Sequence, residues 1–417
     1  MKLLILFILS VCSVGEKIRY DGFKLYKITP TTRQAADALH DLELAENPDF
    51  NFWNPVRQVG KPVNVMVPPY QTSYLETMAS SLGMDFNVVM EDVQKQIDLQ
   101  QPATRATNDS FGWTRYHTLD EINDWLRNIS TRFPEIVTFI EAEGKSYEGR
   151  SIYGIRISYS PDNVNNSVFL ESNIHSNEWI TSAVSTYIVN ELLTSSDVTV
   201  RQVAESHDWY FFPVFNPDGF VYAHTADRLW RKTRVPHSIL CLGADPNRNW
   251  AHSWNSIGTS NSPCSEIYSG PEPFSEPMCR SMSQFISTVA ESLVGYISFH
   301  SYSQLLLLPY GHTGEHLENY QQMYDIGLKA VDALAARYGT HYYVGTIYET
   351  IYPASGTSAD WVKGTFHTPI VYSYELRDRG EYGFLLPPEQ ILPTAEETLD
   401  SFVTIFIEYQ NSLNNTG

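Results

Sequence analysis

Residues 167–193 read SVFLESNIHSNEWITSAVSTYIVNELL, and this stretch decides the fold class. Its first part, Ser167–Glu171, is a short apolar run typical of a buried strand, and Glu178–Leu193 has the apolar spacing of a helix. Similar strand-like runs follow at Trp209–Phe215, Leu293–Phe299 and Pro369–Tyr374. Helical patterns alternate with them at Pro277–Ser292, Glu318–Tyr338 and Ala395–Leu413. This alternation predicts an α/β fold whose mixed, largely parallel sheet is doubly wound, with helices on both faces.

Two capping boxes mark predicted helix starts in the same region. Thr118 and Glu121 precede an amphipathic helix that we expect to run to about Ser130, and Thr394 and Glu397 are expected to begin the last helix. The strand Trp209–Phe215 is followed by Asn-Pro-Asp-Gly, which predicts a turn at Asn216–Gly219.

The other three predicted strands are followed by histidine or glutamate. His175 and Glu178 follow the first strand, His300 follows Leu293–Phe299, and Glu375 follows Pro369–Tyr374. Ligands of such sheets bind beyond the carboxyl ends of the strands. We therefore expect these four side chains to meet at one edge of the sheet.

His175, Glu178 and His300 suit a zinc site. Two imidazoles and a carboxylate are a common catalytic ligand set that leaves a fourth position for water. Zinc lowers the pKa of bound water to about 7. A His-x-x-Glu pair alone is a weak motif, since such residues usually lie on the surface or cap helices. The shared edge with His300 is what favours a metal.

Glu375 is a candidate general base, because a carboxylate beside the reacting water can take its proton and pass it to a departing amine. The alternative is a salt bridge between Glu375 and Arg377 or Arg379. Arg231 and Arg248 are candidates for binding carboxylates or oxyanions, since a guanidinium can hold two oxygens at once. Taken alone, each arginine more often forms a surface ion pair.

The N-terminal region has a different texture and none of these clustered ligands. Strand-like Phe23–Ile28, alternating Val63, Val65 and Val67, and strand-like Phe86–Met90 are interleaved with helix candidates at Thr31–Leu44 and Gln71–Leu82. They predict a small antiparallel α+β unit. The polar stretch Gln100–Asp109 then predicts an exposed linker, in which a trypsin-like protease would cut after Arg105. An ordinary interdomain linker is the alternative.

The first residues predict secretion. Met1–Gly15 combines one lysine, an apolar run and small residues near its end, as a signal peptide does. We expect a secreted, extracellular protein without a membrane anchor. Glycosylation sequons at Asn108, Asn128, Asn165 and Asn414 are compatible with that compartment. The formal net charge of −20 argues against nucleic acid or an anionic membrane as a partner.

Cysteine usage limits the disulfides. Cys12 lies in the predicted signal peptide, which leaves Cys241, Cys264 and Cys279, so at most one bridge forms and one thiol stays free. A Cys241–Cys264 bridge would close a short loop and add roughly 3 kcal/mol of stability. Cys279 falls in a predicted helix, where it is expected to be a buried apolar residue.

The motifs together resemble, in order and spacing, the digestive A/B-type zinc metallocarboxypeptidases, the procarboxypeptidases of the funnelin group. The matching segments run from Tyr116 to the end of the chain: YHTLDEI (116–122), SYEGR (146–150), NIHSNEWI (173–180), FNPDGF (215–220), RLWRKTR (228–234), CLGADPNRNW (241–250), SPCSEIY (262–268), ISFHSYSQLLLLPYG (297–311), IYPASGTSADW (351–361) and YELRDRGEYGFLLP (374–387). The N-terminal unit resembles the family's inhibitory propeptide, with Arg105 at the expected activation point.

The resemblance implies a role for each matching residue. His175, Glu178 and His300 would bind one zinc ion per catalytic domain, Glu375 would be the general base and acid, and Arg231 would stabilise the oxyanion. Asn247, Arg248 and Tyr352 would hold the terminal carboxylate of the peptide. Asp245 would accept a hydrogen bond from His175. Cys241–Cys264 matches the family's disulfide. The implied domains are a signal peptide (1–15), a propeptide (16–105) and a catalytic domain (106–417).

Two positions bear on specificity. The family's zinc motif usually reads His-x-Arg-Glu, and Asn177 replaces that arginine, which puts binding of upstream substrate residues in doubt. Ala359 stands where B-type enzymes carry an acidic residue. Together with Ile347, Ile351 and Ala354, it implies an apolar pocket for an aliphatic or aromatic terminal residue, with Thr357 in the pocket wall.

The residues disfavour three other functions. An inactive homologue would have lost a ligand, Glu375 or Arg231, and none is lost. A zinc deacylase or esterase would not need the propeptide-like unit or the carboxylate-binding residues. A serine-type carboxypeptidase is disfavoured because no Gly-x-Ser-x-Gly motif is present. We expect a monomeric zymogen whose activated form acts on peptides or proteins.

Overall fold

The computed structural model describes residues 17–45, 47–56, 58–100, 111–160 and 166–414. The predicted signal peptide, Arg105 and the sequons at Asn108 and Asn165 lie outside these ranges. Of the other two sequons, Asn128 is exposed on a helix and Asn414 is exposed at the end of another. Within the described ranges, no helix combines the length and apolar character needed to span a membrane.

The N-terminal unit is an antiparallel sheet with helices. Its elements are β1 (Lys24–Thr29), α1 (Arg33–Leu44), β2 (Asn51–Phe52), β3 (Val63–Val67), α2 (Thr72–Ser81), β4 (Asp85–Met90) and α3 (Val93–Gln100). The strand order is β2-β3-β1-β4, and every pairing is antiparallel. Tyr26, Ile28, Val63, Val65 and Val67 form its core with Leu39 and Leu75 from α1 and α2. The predicted antiparallel α+β unit is confirmed.

The larger unit is built on one eight-stranded sheet. Its strands are β5 (Val137–Glu141), β6 (Tyr153–Ile157), β7 (Ser167–Glu171), β8 (Asp208–Phe212), β9 (Leu293–Ser301), β10 (Leu305–Leu308), β11 (Tyr343–Thr346) and β12 (Ile370–Leu376). They follow the order β11-β10-β12-β9-β7-β8-β6-β5. The central strands β12, β9, β7 and β8 run parallel, whereas β10–β12, β6–β8 and β5–β6 are antiparallel. The mixed, largely parallel sheet is as predicted.

Helices cover both faces of this sheet. They are α4 (Leu119–Arg132), α5 (Trp179–Thr194), α6 (Val198–Ser206), α7 (Pro217–Thr225), α8 (Pro277–Val289), α9 (Tyr320–Tyr338), α10 (Ser358–Phe366) and α11 (Ile391–Asn414). Side chains of a strand alternate between faces, so two residues three positions apart on β8 face opposite helix layers. Trp209 packs on Phe406 of α11, and Phe212 packs on Phe285 of α8.

Two local predictions are wrong. Asn216–Gly219 is the start of α7 rather than a turn, because the Asn216 side chain accepts a hydrogen bond from Gly219 N and Pro217 occupies the first helical position. The last helix begins at Ile391 rather than at a Thr394–Glu397 capping box. Thr394 lies in the first turn of the helix, where its Oγ1 donates to Gln390 O, and Glu397 accepts from Arg377 Nε at 2.7 Å.

The two units share an apolar interface. Trp53, Met66 and Ile97 of the N-terminal unit pack in one cluster with Tyr302 and Leu385 of the larger unit. Trp53 lies 5.4 Å from the ring of Phe384. Tyr302 directly follows β9, and Gly380, four residues beyond β12, accepts a hydrogen bond from Asn64 of the N-terminal unit. The N-terminal unit therefore lies against the end of the sheet that carries His300 and Glu375.

The cysteines form the disulfide and the free thiol predicted from the sequence. Cys241 and Cys264 form a disulfide, 23 residues apart, as predicted. Cys279 is a buried free thiol in α8, also as predicted, and its Sγ lies 3.4 Å from Pro246 O.

Candidate active site

His300 and Glu375 are brought together by strand pairing. They are register partners on the parallel strands β9 and β12, one residue before the end of each. Neighbouring strands lie about 4.8 Å apart, so the two side chains start from adjacent positions on one face. Glu375 is half-buried. The two arginines that could have paired with it are occupied elsewhere, since Arg377 pairs with Glu397 and Arg379 donates to His341 O.

His175 and Glu178 are positioned by the connection from β7 to α5. Asn173 adopts a positive φ of 47° there, and its Nδ2 donates to Glu178 O at 2.8 Å. Thr181 Oγ1 in the first turn of α5 accepts from Asn173 N at 3.0 Å. Glu178 is the residue at the N-terminus of α5. These bonds fold the His-x-x-Glu segment back toward the sheet.

The three predicted metal ligands converge. Glu178 Oε1 lies 2.8 Å from His175 Nδ1, Glu178 Oε2 lies 3.2 Å from His300 Nδ1, and the two Nδ1 atoms are 3.1 Å apart. All three residues are buried. Within the described part of the chain, they form a group whose ligand atoms are close enough to hold a metal ion. A tetrahedral zinc bound at about 2.1 Å spaces two ligand nitrogens about 3.4 Å apart. The donor types and their spacing therefore fit zinc.

Asp245 organises the surroundings of this site. Its Oδ1 lies 3.1 Å from His175 Nε2 and also accepts from Asn247 N at 2.8 Å, while its Oδ2 accepts from Arg231 Nη2 at 3.0 Å. A carboxylate can only accept, so His175 carries its proton on Nε2 and leaves the Nδ1 lone pair for a metal. The hydrogen bond predicted between His175 and Asp245 is present.

The buried charges of the site shift the pKa values of their neighbours. Burial alone would raise the pKa of Asp245, but Arg231 and His175 outweigh it and hold the pKa well below its ordinary value. Burial likewise opposes ionisation of Glu178, and the charges of His175 and His300 lower its pKa. Burial lowers the pKa of His300, which favours the neutral imidazole that a metal requires.

Arg231 and Arg248 lie on the same side of the site. Arg231 Nη1 is 3.7 Å from Glu178 Oε1, so its guanidinium borders the metal ligands. Arg248 is buried, donates to Gly258 O and Asn247 O at 2.9 Å each, and lies 5.6 Å from the Tyr352 ring. Within the described ranges, the ion pairs of Arg231 and Arg248 are with the buried carboxylates of Asp245 and Glu178, and not with surface residues.

Asn247 completes this group. It lies in the short 3-10 turn Pro246–Arg248, and its Nδ2 is 3.3 Å from His300 Nε2. The structure therefore brings Asn247, Arg248 and Tyr352 together beside the predicted zinc ligands.

The predicted apolar pocket residues form a cluster. Ile347, Ile351 and Ala354 pack with Leu305 and Leu307, and Tyr352 packs against them. Gly311 lies where a Cβ would be 2.5 Å from Ala354 O and 2.9 Å from Ile347, so only glycine fits. Ala359 is buried in the first turn of α10, and the Thr357 hydroxyl caps that helix by accepting from Asp360 N.

One contact at this edge, between Arg228 and Gln100, was not predicted. Arg228 is 1 % exposed, and its Nε donates to Gln100 Oε1 at 2.7 Å. Gln100 was expected in an exposed linker but ends α3 and is buried. Burial lowers the pKa of Arg228 to about 9. Because Gln100 and Arg228 are remote in sequence, only the RLWRKTR motif could have drawn attention to this arginine.

Asn177 faces the same region. Its backbone oxygen accepts from Arg228 Nη1 at 2.7 Å, and its Nδ2 lies 3.4 Å from Leu229 O. Among the described residues, no hydrogen bond joins Asn177 to His175, Glu178 or His300.

Comparison with known proteins agrees with this geometry. Residues 122–401 match the family described as zinc carboxypeptidase, and residues 26–100 match the carboxypeptidase activation peptide. The chain is 44% identical over 401 residues to zinc carboxypeptidase A 1 of Anopheles gambiae, covering 94% of this chain and 91% of that protein. It is 45% identical over 290 residues to carboxypeptidase B of Astacus astacus, covering 69% and 95%.

A solved structure shows the same architecture. The crystal structure of the carboxypeptidase A from Helicoverpa armigera superposes with a TM-score of 0.84 at 28% identity, covering 94% of this chain and 98% of that one. Sequence, fold and the converging ligand set lead to one conclusion: the chain belongs to the zinc carboxypeptidase family and carries that family's activation peptide as its N-terminal unit.

Proposed function

We propose that the protein is secreted as a zymogen, is activated by a trypsin-like protease at Arg105, and then removes aliphatic or aromatic residues from peptide C-termini. The observation that carries this proposal is the convergence of His175, Glu178 and His300 beside Glu375 on one side and Asn247, Arg248 and Tyr352 on the other. A hydrolytic centre next to a group that binds carboxylates suits an exopeptidase.

In this proposal His175, Glu178 and His300 hold one zinc ion, which when bound polarises the scissile carbonyl and makes water more acidic. Glu375 takes the proton of the attacking water and delivers it to the departing amine nitrogen. Its register position beside His300, near the C-terminal end of β12, supports this role.

Arg231 is assigned the role of stabilising the developing oxyanion. Its guanidinium is held by Asp245 through two nitrogens at 3.3 and 3.0 Å, so its remaining N–H groups point in a fixed direction beside Glu178. Donors that are fixed before the reaction stabilise developing charge without reorganisation. Arg248, Asn247 and Tyr352 are assigned the terminal carboxylate, whose binding restricts cleavage to the last peptide bond.

The specificity proposal rests on the pocket. Ile347, Ile351, Ala354 and Ala359 present no charged group, and burying an unpaired Lys or Arg ammonium or guanidinium there would be costly. Overall similarity does not decide this point, because relatives named for both A and B types match the chain.

The test compares peptides that differ only in the last residue (Phe, Leu, Lys or Glu), using protein cleaved with trypsin. We expect kcat/KM for Phe or Leu to exceed that for Lys by at least about a hundredfold. Ala359→Asp is the matched variant and should shift the preference toward Lys. Comparable cleavage of the Phe and Lys peptides by the unmodified chain would contradict the specificity proposal.

A further inference from the structure

A second row of polar residues crosses the sheet two positions before His300 and Glu375 along their strands. Glu171 on β7 is the register partner of Ser298 on β9, and Ser298 is the partner of Ser373 on β12. Residues two apart on a strand share a face, so Ser298 and Ser373 face the same way as His300 and Glu375. All three members of the second row are buried.

Glu171 is the unusual member of this row. Its Oε1 accepts from Ser298 Oγ at 2.5 Å and from Ser358 Oγ at 3.2 Å, while its buried Oε2 has no hydrogen-bond partner. No ion pair involving Glu171 forms among the residues that the structure describes. A fully buried carboxyl group with one unsatisfied oxygen is costly. The position therefore calls for an explanation beyond packing.

Ser358 connects Glu171 to the substrate side of the site. It is the first residue of α10, and its backbone N donates to Asn247 Oδ1 at 2.9 Å. A backbone N–H can only donate, so the Asn247 amide oxygen must face α10. The Asn247 Nδ2 group consequently faces the other way, toward His300.

We propose that Glu171 and Ser358 are positioning residues that hold the Asn247 amide with its NH₂ group presented to the terminal carboxylate of the peptide. Glu171 fixes the Ser358 hydroxyl, the first turn of α10 is thereby fixed to the sheet, and its N–H fixes Asn247 Oδ1. The inference rests on the role proposed above for Asn247.

A purely structural role predicts something different. If Glu171 only anchored α10 to the sheet, its loss would lower stability without a selective effect on substrate binding. Ser298 supplies the matched control, because it donates to the same Glu171 oxygen but belongs to β9 and has no bond to Asn247.

The experiment measures kcat and KM for benzoylglycyl-phenylalanine, the affinity for benzylsuccinate and the unfolding temperature. It uses the full chain after trypsin cleavage, as the unmodified protein and as Ser358→Ala, Glu171→Met, Glu171→Gln, Ser298→Ala and Asn247→Ala. We expect Ser358→Ala and Glu171→Met to raise KM and weaken benzylsuccinate about 3- to 10-fold, with kcat within about twofold, as for loss of one ordinary hydrogen bond.

Glu171→Gln should restore KM, since its amide oxygen can accept from both serines, and Ser298→Ala should leave KM within about twofold. If Asn247→Ala raises KM but Ser358→Ala does not, the positioning inference is overturned while the function of Asn247 stands. If Asn247→Ala itself leaves KM unchanged, both fail. An equal rise in KM for Ser298→Ala also overturns the inference. Should Glu171→Met fail to fold, Ser358→Ala decides the question.

Discussion

At the residue scale, Asp245 ties the predicted metal site to the substrate side. Through its two oxygens it contacts His175, Arg231 and the backbone of Asn247. Its loss should therefore affect metal binding before it affects the fold.

We expect Asp245→Asn to weaken zinc binding about 10- to 100-fold, because an amide no longer fixes the His175 tautomer or balances Arg231. The measurement is zinc retention against increasing concentrations of a chelator. Asp218→Asn is the control, since Asp218 is equally buried and bonds to Ser146 and Arg150, away from the metal ligands. Equal zinc retention in both variants would contradict the role of Asp245.

A second prediction at this scale concerns His207, which is buried between Trp209 and Phe406. Burial lowers its pKa to about 4. The unfolded chain, with an ordinary pKa near 6.5, therefore binds a proton between these values while the folded protein does not. The stability that this neutral histidine contributes is present above about pH 6.5 and is lost as the pH falls toward 4, by about 3 kcal/mol in total.

The check is the free energy of unfolding of the unmodified protein and of His207→Leu between pH 7 and pH 4. The variant should lose less stability on acidification than the unmodified protein does. Parallel curves for the unmodified protein and His207→Leu would count against this assignment.

Single residues also show how far sequence reasoning reaches. His175, Glu178, His300 and Glu375 could be predicted because each lies just after an apolar run in the sequence, at or shortly beyond the C-terminal end of a strand. Their common edge then follows from the geometry of a parallel sheet. The contact of Gln100 with Arg228 could not, because it depends on how two units dock and leaves no periodic pattern in either segment.

At the element scale, helix boundaries depend on which polar residue caps which N–H. The box at Thr118 is real, since Thr118 Oγ1 accepts from Glu121 N and Glu121 accepts from Thr118 N. The same spacing at Thr394 and Glu397 lies inside α11, where Glu397 instead pairs with Arg377. The motif alone does not distinguish these cases, because the ion pair forms only in the folded chain.

We expect Thr118→Ala to lower the free energy of unfolding by about 1 kcal/mol, because α4 loses its N-terminal cap. Urea titration of the full chain measures this change. Thr131→Ala, which removes a hydroxyl that donates to Arg127 O near the end of the same helix, should have a smaller effect. A larger effect at Thr131 would show that the cap is not the important interaction.

At the scale of the whole molecule, the N-terminal unit lies against the site. Asn64 on β3 donates through Nδ2 to Gly380 O at 3.0 Å and accepts from Tyr302 OH at 3.3 Å. Tyr302 follows His300 by two residues, and Gly380 follows Glu375 by five. The different sequence patterns of the two regions predicted two domains. The surface through which the domains dock could not be predicted, because it depends on side chains whose partners lie in the other unit.

We expect Asn64→Leu to raise the activity of the uncleaved chain about tenfold, because two hydrogen bonds across the interface are lost. After trypsin cleavage the variant and the unmodified protein should be equally active. Thr77→Ala on the outer surface of α2 is the control and should leave the uncleaved activity low. Unchanged activity in uncleaved Asn64→Leu would mean that this contact does not hold the N-terminal unit in place.

The central claim is that a zinc-dependent exopeptidase is released by cleavage of this chain. The most direct test follows phenylalanine release from a peptide ending in Phe, before and after trypsin treatment, with 1,10-phenanthroline and with zinc added back. We predict little release before cleavage, a large increase after it, loss with the chelator and recovery with zinc. A cleaved, zinc-loaded protein that releases no terminal residue, or activity that survives removal of the metal, would contradict the account.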